Sequence, residues 1–279
     1  DKVTVFDSQA RSCQEIPNTY ADLVRFLEPF GAETLAVCEA TGGYEKALLS
    51  ALMTAGIAAH RADAVKVKAF IRSFRQGKSD AIDAKGLARY AQERADTLAL
   101  FRAPEENRLR LTNLVERRRE LVALKVAETN RSKAPMAQEC AFSFKAMLRV
   151  IISQIKAVEE RIQILVAGCT ELKDSIATLQ TIYGVGRLTA IELMSTMPEL
   201  GSMTGKQAAS LAGLAPHPRD SGSLHGKRFV RPGRRNAKTI LFMAALTAAR
   251  SKTELGVFFQ KLVERGKRRI VAITALMRK

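Results

Sequence analysis

The hydrophobic and polar positions of the first hundred residues alternate between two periods. Val3 and Val5 alternate with polar neighbours, as in a strand, whereas apolar residues between Tyr20 and Phe30 recur at helical spacing. Continued along the chain, the pattern predicts strands at residues 3–5, 34–38, 57–59 and 98–101 and helices at 20–30 and 44–55. Strands that alternate with helices indicate an α/β domain over residues 1–103, in which helices flank a sheet.

From residue 104 the pattern becomes that of long helices. One apolar stripe runs through Leu111, Leu114, Leu121 and Leu124, and Pro135 marks a bend after it. A second stripe alternates steps of four and three over about four heptads, which is the pattern of a coiled-coil seam. Its positions are Ile151, Ile155, Val158, Ile162, Leu165, Cys169, Leu172, Ile176 and Leu179. We therefore predict a helical coiled coil over residues 104–180, formed either within one chain or between two chains.

Residues 181–279 predict a third, mainly helical domain. It opens with Gly184-Val185-Gly186 ahead of a helix, and backbone N–H groups exposed at such a start bind phosphate well. The segment resembles a helix-hairpin-helix, which holds the DNA backbone without reading bases, but an ordinary turn between two helices fits it equally. Both interpretations predict a turn followed by a helix.

The distribution of charge along the chain indicates which class of molecule the protein binds. The 279 residues carry a formal net charge of +17. Residues 201–279 hold 17 Lys and Arg against three acids, Asp220, Glu254 and Glu264, so this part supplies +14. A local excess of this kind favours a nucleic-acid surface over general solubility. A second basic run lies at residues 265–269, where a solvated loop is the alternative.

Ser221 lies in the densest part of this charge. Two prolines, at 216 and 218, end a helix and predict a loop of fixed shape before the turn Ser221-Gly222-Ser223. Asp220 is the one acid nearby, so the surrounding cations cannot all be paired and should seek phosphates. The candidate nucleic-acid-binding residues are Lys206, Arg219, Lys227, Arg228, Arg231, Arg234, Arg235 and Lys238. Guanidinium groups that neutralise a phosphate could activate Ser221 as a nucleophile; alternatively the segment is only a flexible polar turn.

Three carboxylates are candidate metal ligands. Glu39 ends an apolar strand just before Thr41-Gly42-Gly43, at the strand end where open α/β sheets keep their sites. Asp80 and Asp83 lie three apart at a helix start and hence on one face. Oxygen-only clusters suit Mg²⁺ or Mn²⁺. The alternatives are a hydrogen bond from the turn for Glu39, an N-cap or first-turn role for Asp80, and solvation for Asp83.

The composition argues against several other classes. Four cysteines, Cys13, Cys38, Cys140 and Cys169, form no C-x-x-C pair and predict buried thiols in a reducing compartment rather than disulfides or a zinc site. The three histidines are scattered, which argues against a histidine-rich metal site. No apolar run reaches the roughly 18 residues of a membrane span, so we expect a cytoplasmic protein.

Several motifs, taken in order, resemble the insertion sequence 110 family of transposases and the related pilin-gene invertases. They are CEATGGY, KSDAIDA, YGVGRLTA, TGKQAASLAGLAP, RDSG, the GRR run and the terminal ALMRK. The resemblance covers nearly the whole chain. It implies a RuvC-like (RNase H-like) α/β domain with a DEDD carboxylate set, a coiled coil, and a mainly helical C-terminal transposase domain with a nucleophilic serine.

Residue by residue, the resemblance matches Glu39 to the E of DEDD and Asp80 and Asp83 to its last two aspartates. It matches Ser221 to the serine of the family's S-G motif. The first aspartate of the set normally precedes a position equivalent to Asp1, so we expect it upstream of this sequence. The family also implies divalent metal, a bridge RNA that pairs with donor and target DNA, and a homo-oligomer, dimer or tetramer, through the coiled coil. These features imply a bacterial protein associated with the nucleoid when it acts.

The expected function is therefore that of a DNA transposase. Carboxylates with Mg²⁺ would polarise a phosphate, and Ser221 would attack it to form a phosphoserine-linked DNA intermediate. Three alternatives remain open at the level of sequence. They are a site-specific invertase without guide RNA, a RuvC-like nuclease that uses metal-activated water, and a basic coiled-coil scaffold without enzymatic activity.

Overall fold

A computed structural model describes residues 1–40, 42–74, 77, 79–102, 105–135, 137–218, 220–222, 226 and 228–279. Thr41, Arg219, Ser223 and Lys227, which the sequence motifs include, lie outside these residues. The chain divides into two compact units, Asp1–Ala103 and Pro104–Lys279. Within the described ranges, no helix combines the length and apolar character needed to cross a bilayer.

The described part of the first unit holds two small sheets and four α-helices. Its strands are β1 (Lys2–Asp7), β2 (Ser12–Pro17), β3 (Leu35–Glu39) and β4 (Ala58–Ala62). Its helices are α1 (Tyr20–Leu27), α2 (Lys46–Thr54), α3 (Ala64–Arg72) and α4 (Asp80–Arg94). β1 and β2 form an antiparallel hairpin, whereas β3 and β4 are parallel and pair Glu39 with Ala62 at their carboxyl ends. The predicted strands near residues 3–5, 34–38 and 57–59 and the predicted helices near residues 20–30 and 44–55 are confirmed.

One apolar core joins the helices to the strands. Leu23 of α1 and Leu52 of α2 are fully buried, and they cluster with Cys38 of β3 and Ala59 of β4. Thr19 caps the start of α1, because its hydroxyl accepts the N–H of Asp22 and so satisfies one free donor of the first turn. The core therefore fixes β3, whose last residue is a predicted site residue.

One predicted strand is absent, and one observed strand was not predicted. Residues 98–101 do not form a strand; Phe101 N–H donates to the carbonyl of Ala59 at 2.6 Å, and His60 Nδ1 donates to the carbonyl of Ala99 at 2.7 Å. β2 was not predicted, because its residues do not alternate in polarity and only Ile16 is buried. Backbone pairing with β1 holds this strand in place, together with Ile16, the one side chain that it buries in the core.

Two of the four cysteines are not buried as predicted. Cys38 and Cys169 are buried, whereas Cys13 and Cys140 are exposed. Cys13 lies on the poorly covered strand β2, and Cys140 ends a short 3₁₀ turn between two long helices. All four are free thiols.

Over its described residues, the second unit is helical apart from one short strand pair. Its helices are α5 (Glu106–Arg131), α6 (Ala141–Ala167), α7 (Thr170–Gln180), α8 (Arg187–Thr196), α9 (Gly205–Leu211), α10 (Arg235–Ala248), α11 (Glu254–Glu264) and α12 (Arg269–Arg278). α5 and α6 pack side by side as an intrachain hairpin, and Pro135 lies between them as predicted.

The predicted seam is buried but does not run along one helix. α6 ends at Ala167, Gly168 caps it, and Cys169 takes an extended backbone before α7 starts. Glycine is a poor helix former, which favours a break at this point. Seam residues Ile162 and Leu172 share a core with Ile191 of α8, so the hairpin and the C-terminal helices pack as one unit. The packing therefore shows no division at residue 180.

An ion pair between buried Glu45 and partly exposed Arg61 shapes the turn that follows β3. The carboxylate of Glu45, 3% exposed, accepts from Arg61 Nε at 2.9 Å and from Arg61 Nη2 at 2.5 Å. Its second oxygen accepts the N–H of Gly43 at 2.9 Å, and Gly42 and Gly43 both have positive φ. Burial by itself raises the pKa of Glu45, but the backbone N–H donors and Arg61 outweigh it, and the pKa lies below its usual value. The neighbouring thiol of Cys38 has a pKa raised to about 11, first by burial and then by the charge of Glu45.

The second unit closes a long loop with its backbone. β5 (Pro216–His217) pairs antiparallel with β6 (Phe229–Val230). Below this pair, Gly213 has φ +69°, and a methyl group on Gly213 would lie 2.7 Å from the nitrogen of Gly233. A methyl group on Gly233 would overlap the backbone of Gly213. We call residues 214–232 the serine loop and this backbone contact its base.

Glu45→Gln should reduce stability at neutral pH by roughly 1–3 kcal/mol, because it removes the charged acceptor of several donors. Since the folded-state pKa of Glu45 is depressed, its stabilisation is present above pH 4.5 and is lost as the pH falls through the folded pKa. Urea unfolding between neutral pH and pH 3 measures this difference. The free energies of unfolding of Glu45→Gln and the parent protein should become equal in acid. Glu93→Gln, which breaks an exposed pair with Arg89, is the control and should change stability little. Parallel pH profiles for Glu45→Gln and the parent would contradict this account.

Gly233→Ala should lower the free energy of unfolding by about 2 kcal/mol or more, because the new methyl group meets rigid backbone. Gly205→Ala is the matched control, since nothing lies within 4 Å of the position of its added methyl group. Thermal unfolding of both variants measures the difference. Equal melting temperatures would show that the base of the serine loop is not closed as described.

Candidate active site

The three predicted carboxylates lie on elements that pack against one another. Glu39 is the last residue of β3, and Asp80 is the first residue of α4, with Asp83 one turn further on. α4 packs against both β1 and β3. The fold therefore brings the two parts of the predicted carboxylate set to one region of the first unit.

Glu39 already has a cationic partner. Its carboxylate, 16% exposed, lies 3.1 Å from Nζ of Lys68, which projects from α3. β3 and β4 are parallel neighbours and α3 follows β4, so the topology brings this lysine to the carboxyl end of β3. The sequence suggested a hydrogen bond from the following turn as the alternative role of Glu39, whereas the structure shows an ion pair. Sequence reasoning missed Lys68, because nothing near residue 39 indicates it.

Asp80 and Asp83 begin α4 without capping it. The cap is Ser79, whose hydroxyl accepts the N–H of Ile82 at 3.2 Å. Asp80 is exposed in the first turn, where a negative charge complements the helix dipole, and Asp83 is half-buried. Asp80 lines a shallow depression whose other walls come from β1, β2 and the start of α4. Those wall residues are Thr4, Cys13, Gln14, Glu15, Ser79 and Ala81.

These residues do not form a complete divalent-cation site. In the part of the chain that the structure describes, no three acidic, histidine or cysteine side chains group closely enough to hold a metal ion. Glu39 is engaged by Lys68, which leaves Asp80 and Asp83 as the remaining pair. The oxygen donors suit Mg²⁺ or Mn²⁺ chemically, but their arrangement does not fit the ion without a further ligand.

Ser221 is exposed near the far end of the serine loop. Gly222, which follows it, has φ +55°, a left-handed conformation that turns the chain sharply. Asp220 folds back within the loop, where its Oδ1 accepts the N–H of Gly226 at 3.1 Å. Because β5 and β6 pair on either side, the turn extends from two fixed arms. The hydroxyl is therefore presented to solvent from an anchored hairpin.

Most of the described candidate cations around this hairpin face solvent. Lys206, Arg228, Arg231 and Arg235 are exposed, and Lys238 is half-buried. The first turn of α10 contains no acidic residue, so its free N–H groups and its cations add to one positive field. Arg219 and Lys227 belong to the predicted set but lie outside the described residues.

Arg234 differs from the other predicted nucleic-acid contacts. Its guanidinium donates to both carboxylate oxygens of Glu199, at 2.6 and 2.5 Å, and to the carbonyl of Thr196 at 2.9 Å. The sequence argument counted Asp220 as the one nearby acid, but the fold supplies Glu199 from a distant segment. Arg234 thus serves as a structural contact at the base of the serine loop.

The Gly184-Val185-Gly186 turn is present, and α8 begins directly after it. Gly184 has φ +92°, and a methyl group there would lie 2.5 Å from the carbonyl of Ala244 in α10. This glycine is therefore required by helix packing. Gly186 is the N-cap of α8, and a methyl group there would meet no atom within 4 Å.

Comparison with known proteins connects these features. Residues 3–140 match the model of a DEDD transposase domain of the IS110 type, described as a transposase. Residues 176–260 match the model described as transposase IS116/IS110/IS902 family. The first match contains Glu39, Asp80 and Asp83, and the second contains Ser221.

A curated relative gives the same relationship. The insertion element IS110 uncharacterized 43.6 kDa protein of Streptomyces coelicolor is 30% identical over 138 residues. The aligned part is 49% of this chain and 33% of that protein, so the chain spans about a third of its relative. The DEDD domain implies a RuvC-like fold, with which the small sheets and flanking helices of the first unit are compatible. With both of its units matched to one family, the chain belongs to the IS110 family of transposases.

Proposed function

We propose that the protein cuts and rejoins DNA strands with Ser221 as the nucleophile. The observation that carries the proposal is an exposed serine hydroxyl on a hairpin with two fixed arms, bordered by exposed arginines. Family membership supports strand cutting and rejoining as the reaction class. An anchored hydroxyl beside cations suits attack on a phosphodiester, because positioning and charge neutralisation dominate phosphoryl transfer.

The proposed step conserves phosphodiester bonds. Ser221 Oγ forms a bond to phosphorus while the bond from phosphorus to one deoxyribose oxygen breaks. The serine proton leaves as the new ester forms, and the departing oxygen takes up a proton. A terminal hydroxyl of another DNA end then attacks the phosphoserine linkage, and Ser221 regains its proton. The covalent intermediate stores the bond energy, so that no external energy source is needed for rejoining.

The exposed cations bind the DNA backbone in this proposal. Arg228 and Arg231 flank β6, and Arg235 begins α10, so these three border the arm that leads away from Ser221. Guanidinium groups donate two parallel hydrogen bonds to phosphate and neutralise its charge. We assign no phosphate contact to Arg234, because Glu199 occupies its guanidinium.

DEDD transposases typically depend on a divalent metal. We propose Glu39, Asp80 and Asp83 as contributors to such a site, where bound Mg²⁺ or Mn²⁺ would neutralise charge on the reacting phosphate. The described residues do not complete the site by themselves, so a further ligand is required. We assign no step of the reaction to the metal.

The proposal also includes a structured RNA guide and self-association of the protein. By resemblance to the transposases of the family, we propose that a bridge RNA pairs with donor and target DNA and that the protein acts as a homo-oligomer. A site-specific invertase is the second candidate, because it would use the same residues without the RNA. A defined short RNA retained with the purified full-length protein favours the guided transposase, whereas protein active on DNA without RNA favours the invertase.

Ser221→Ala should reduce DNA cutting by roughly three orders of magnitude or more, because loss of a nucleophile leaves only binding to assist the reaction. DNA affinity should change little, since the substitution leaves the cations in place. Cleavage of labelled DNA and filter binding at fixed salt measure the two quantities. Ser210→Ala, at an exposed position on α9, is the control and should cut as the parent does. Undiminished cutting by Ser221→Ala would instead identify a nuclease that activates water.

A further inference from the structure

The C-terminal end of α8 receives side chains from two parts of the second unit. The last carbonyls of a helix have no partner within the helix, and cations stabilise this end. Arg234 Nη1 donates to the carbonyl of Thr196 at 2.9 Å, and Arg108 Nη1 donates to the carbonyl of Pro198 at 2.6 Å. Arg108 belongs to α5, whereas Arg234 closes the serine loop. The hairpin and the loop therefore hold the same helix end.

Thr196 is contacted from both sides. Arg119 of α5 donates from Nη2 to the hydroxyl of Thr196 at 2.7 Å, and that hydroxyl donates to the carbonyl of Glu192 at 2.7 Å. The same Arg119 nitrogen lies 3.6 Å from the carboxylate of Glu192. Arg118 extends the network, at 3.3 Å from Glu192 and 2.7 Å from Glu159 of α6. A connected set of polar contacts thus runs from α6 through α5 to Thr196.

The side chains of this network are shielded enough from water for their hydrogen bonds to contribute to stability. The side chains of Arg118, Glu192 and Arg119 are 14%, 17% and 23% exposed. Exposed ion pairs contribute little because solvent screens them, whereas half-buried charge-assisted hydrogen bonds are stronger. The contacts of Thr196 therefore constrain the position of this helix end.

Arg234 transfers that constraint to the serine loop. It directly follows Gly233, whose backbone packs against Gly213, and its own N–H donates to the carbonyl of Leu211 at 2.9 Å. The guanidinium is fixed in direction because Nη1 donates both to the carbonyl of Thr196 and to Glu199, while Nη2 donates to the second carboxylate oxygen of Glu199. A shift of Thr196 must therefore move Arg234 or break its bonds, and either change loosens the base of the loop.

We propose that Arg234 and Arg119 are positioning residues for Ser221, coupled through Thr196, so that the α5–α6 hairpin governs how firmly the serine loop is held. Arg119 acts from the hairpin side and Arg234 from the loop side. The catalytic consequence rests on the proposed function of Ser221, whereas the mechanical coupling does not depend on it.

Amide hydrogen exchange of the full chain tests the coupling. Arg119→Ala should speed exchange at the N–H of Arg234 and in β5 and β6 by about tenfold, because hydrogen bonds to charged groups are worth at least that factor. Thr196→Val replaces only the hydroxyl with a methyl group and should have the same effect, so the coupling can be tested even where Arg119→Ala does not fold. Arg117→Ala is the matched control, since Arg117 is exposed and pairs with Glu120 on its own helix. Unchanged loop exchange in a folded Thr196→Val protein would overturn the coupling.

Measurements of DNA cutting distinguish a positioning role of these residues from a role in DNA binding. In Arg119→Ala and Thr196→Val, the rate of cutting of bound DNA should fall at least about fivefold while DNA affinity stays constant. The double variant Arg119→Ala/Arg234→Lys should lose no more cutting rate than the more impaired single variant, because both substitutions disrupt the same contacts through Thr196. Additive losses would overturn the shared role of Thr196. Faster loop exchange together with undiminished cutting by Ser221→Ala would retain the coupling and refute only the proposed nucleophile.

Discussion

Two stretches of backbone meet at Gly213 and Gly233 with no space for a side chain between them. Leu214 anchors one end of the loop that they close in an apolar core, but Ser221 and the described residues next to it are exposed, so burial cannot order the part around Ser221. Backbone contact, the short β5–β6 pair and the guanidinium of Arg234 do this instead. The defined position of the Ser221 hydroxyl depends on this closure, and the proposed chemistry depends on that position.

The two units use the same device beside their candidate chemical groups. In the first unit, Arg61 and the buried Glu45 hold a turn with two left-handed glycines directly after Glu39. In the second, Arg234 and Glu199 hold the base of the serine loop. An arginine that donates from two nitrogens to a carboxylate fixes direction as well as distance, which a lysine cannot do. Glycine permits each sharp turn, and the ion pair keeps the turn in one conformation.

Local patterns in the sequence predicted the elements but not their long-range partners. Periodicity identified β3, α2 and the buried seam, because these features depend on residues close in sequence. It missed β2, which buries only Ile16 and is otherwise held by pairing with β1, and it extended the seam across the break at Gly168. The candidate site shows the same limit: Glu39, Asp80, Asp83 and Ser221 were found from motifs. Their structural neighbours Lys68, Thr196 and Glu199 could not be, since the fold brings them from distant segments.

The proposed function depends on covalent attachment of the Ser221 hydroxyl to DNA during strand exchange. Mass spectrometry of the protein after reaction with DNA, nuclease treatment and proteolysis tests it most directly. Our account predicts a nucleotide remnant in phosphodiester linkage on the peptide that contains Ser221. Cut DNA accompanied by a remnant on another residue, or by no remnant at all, would contradict it.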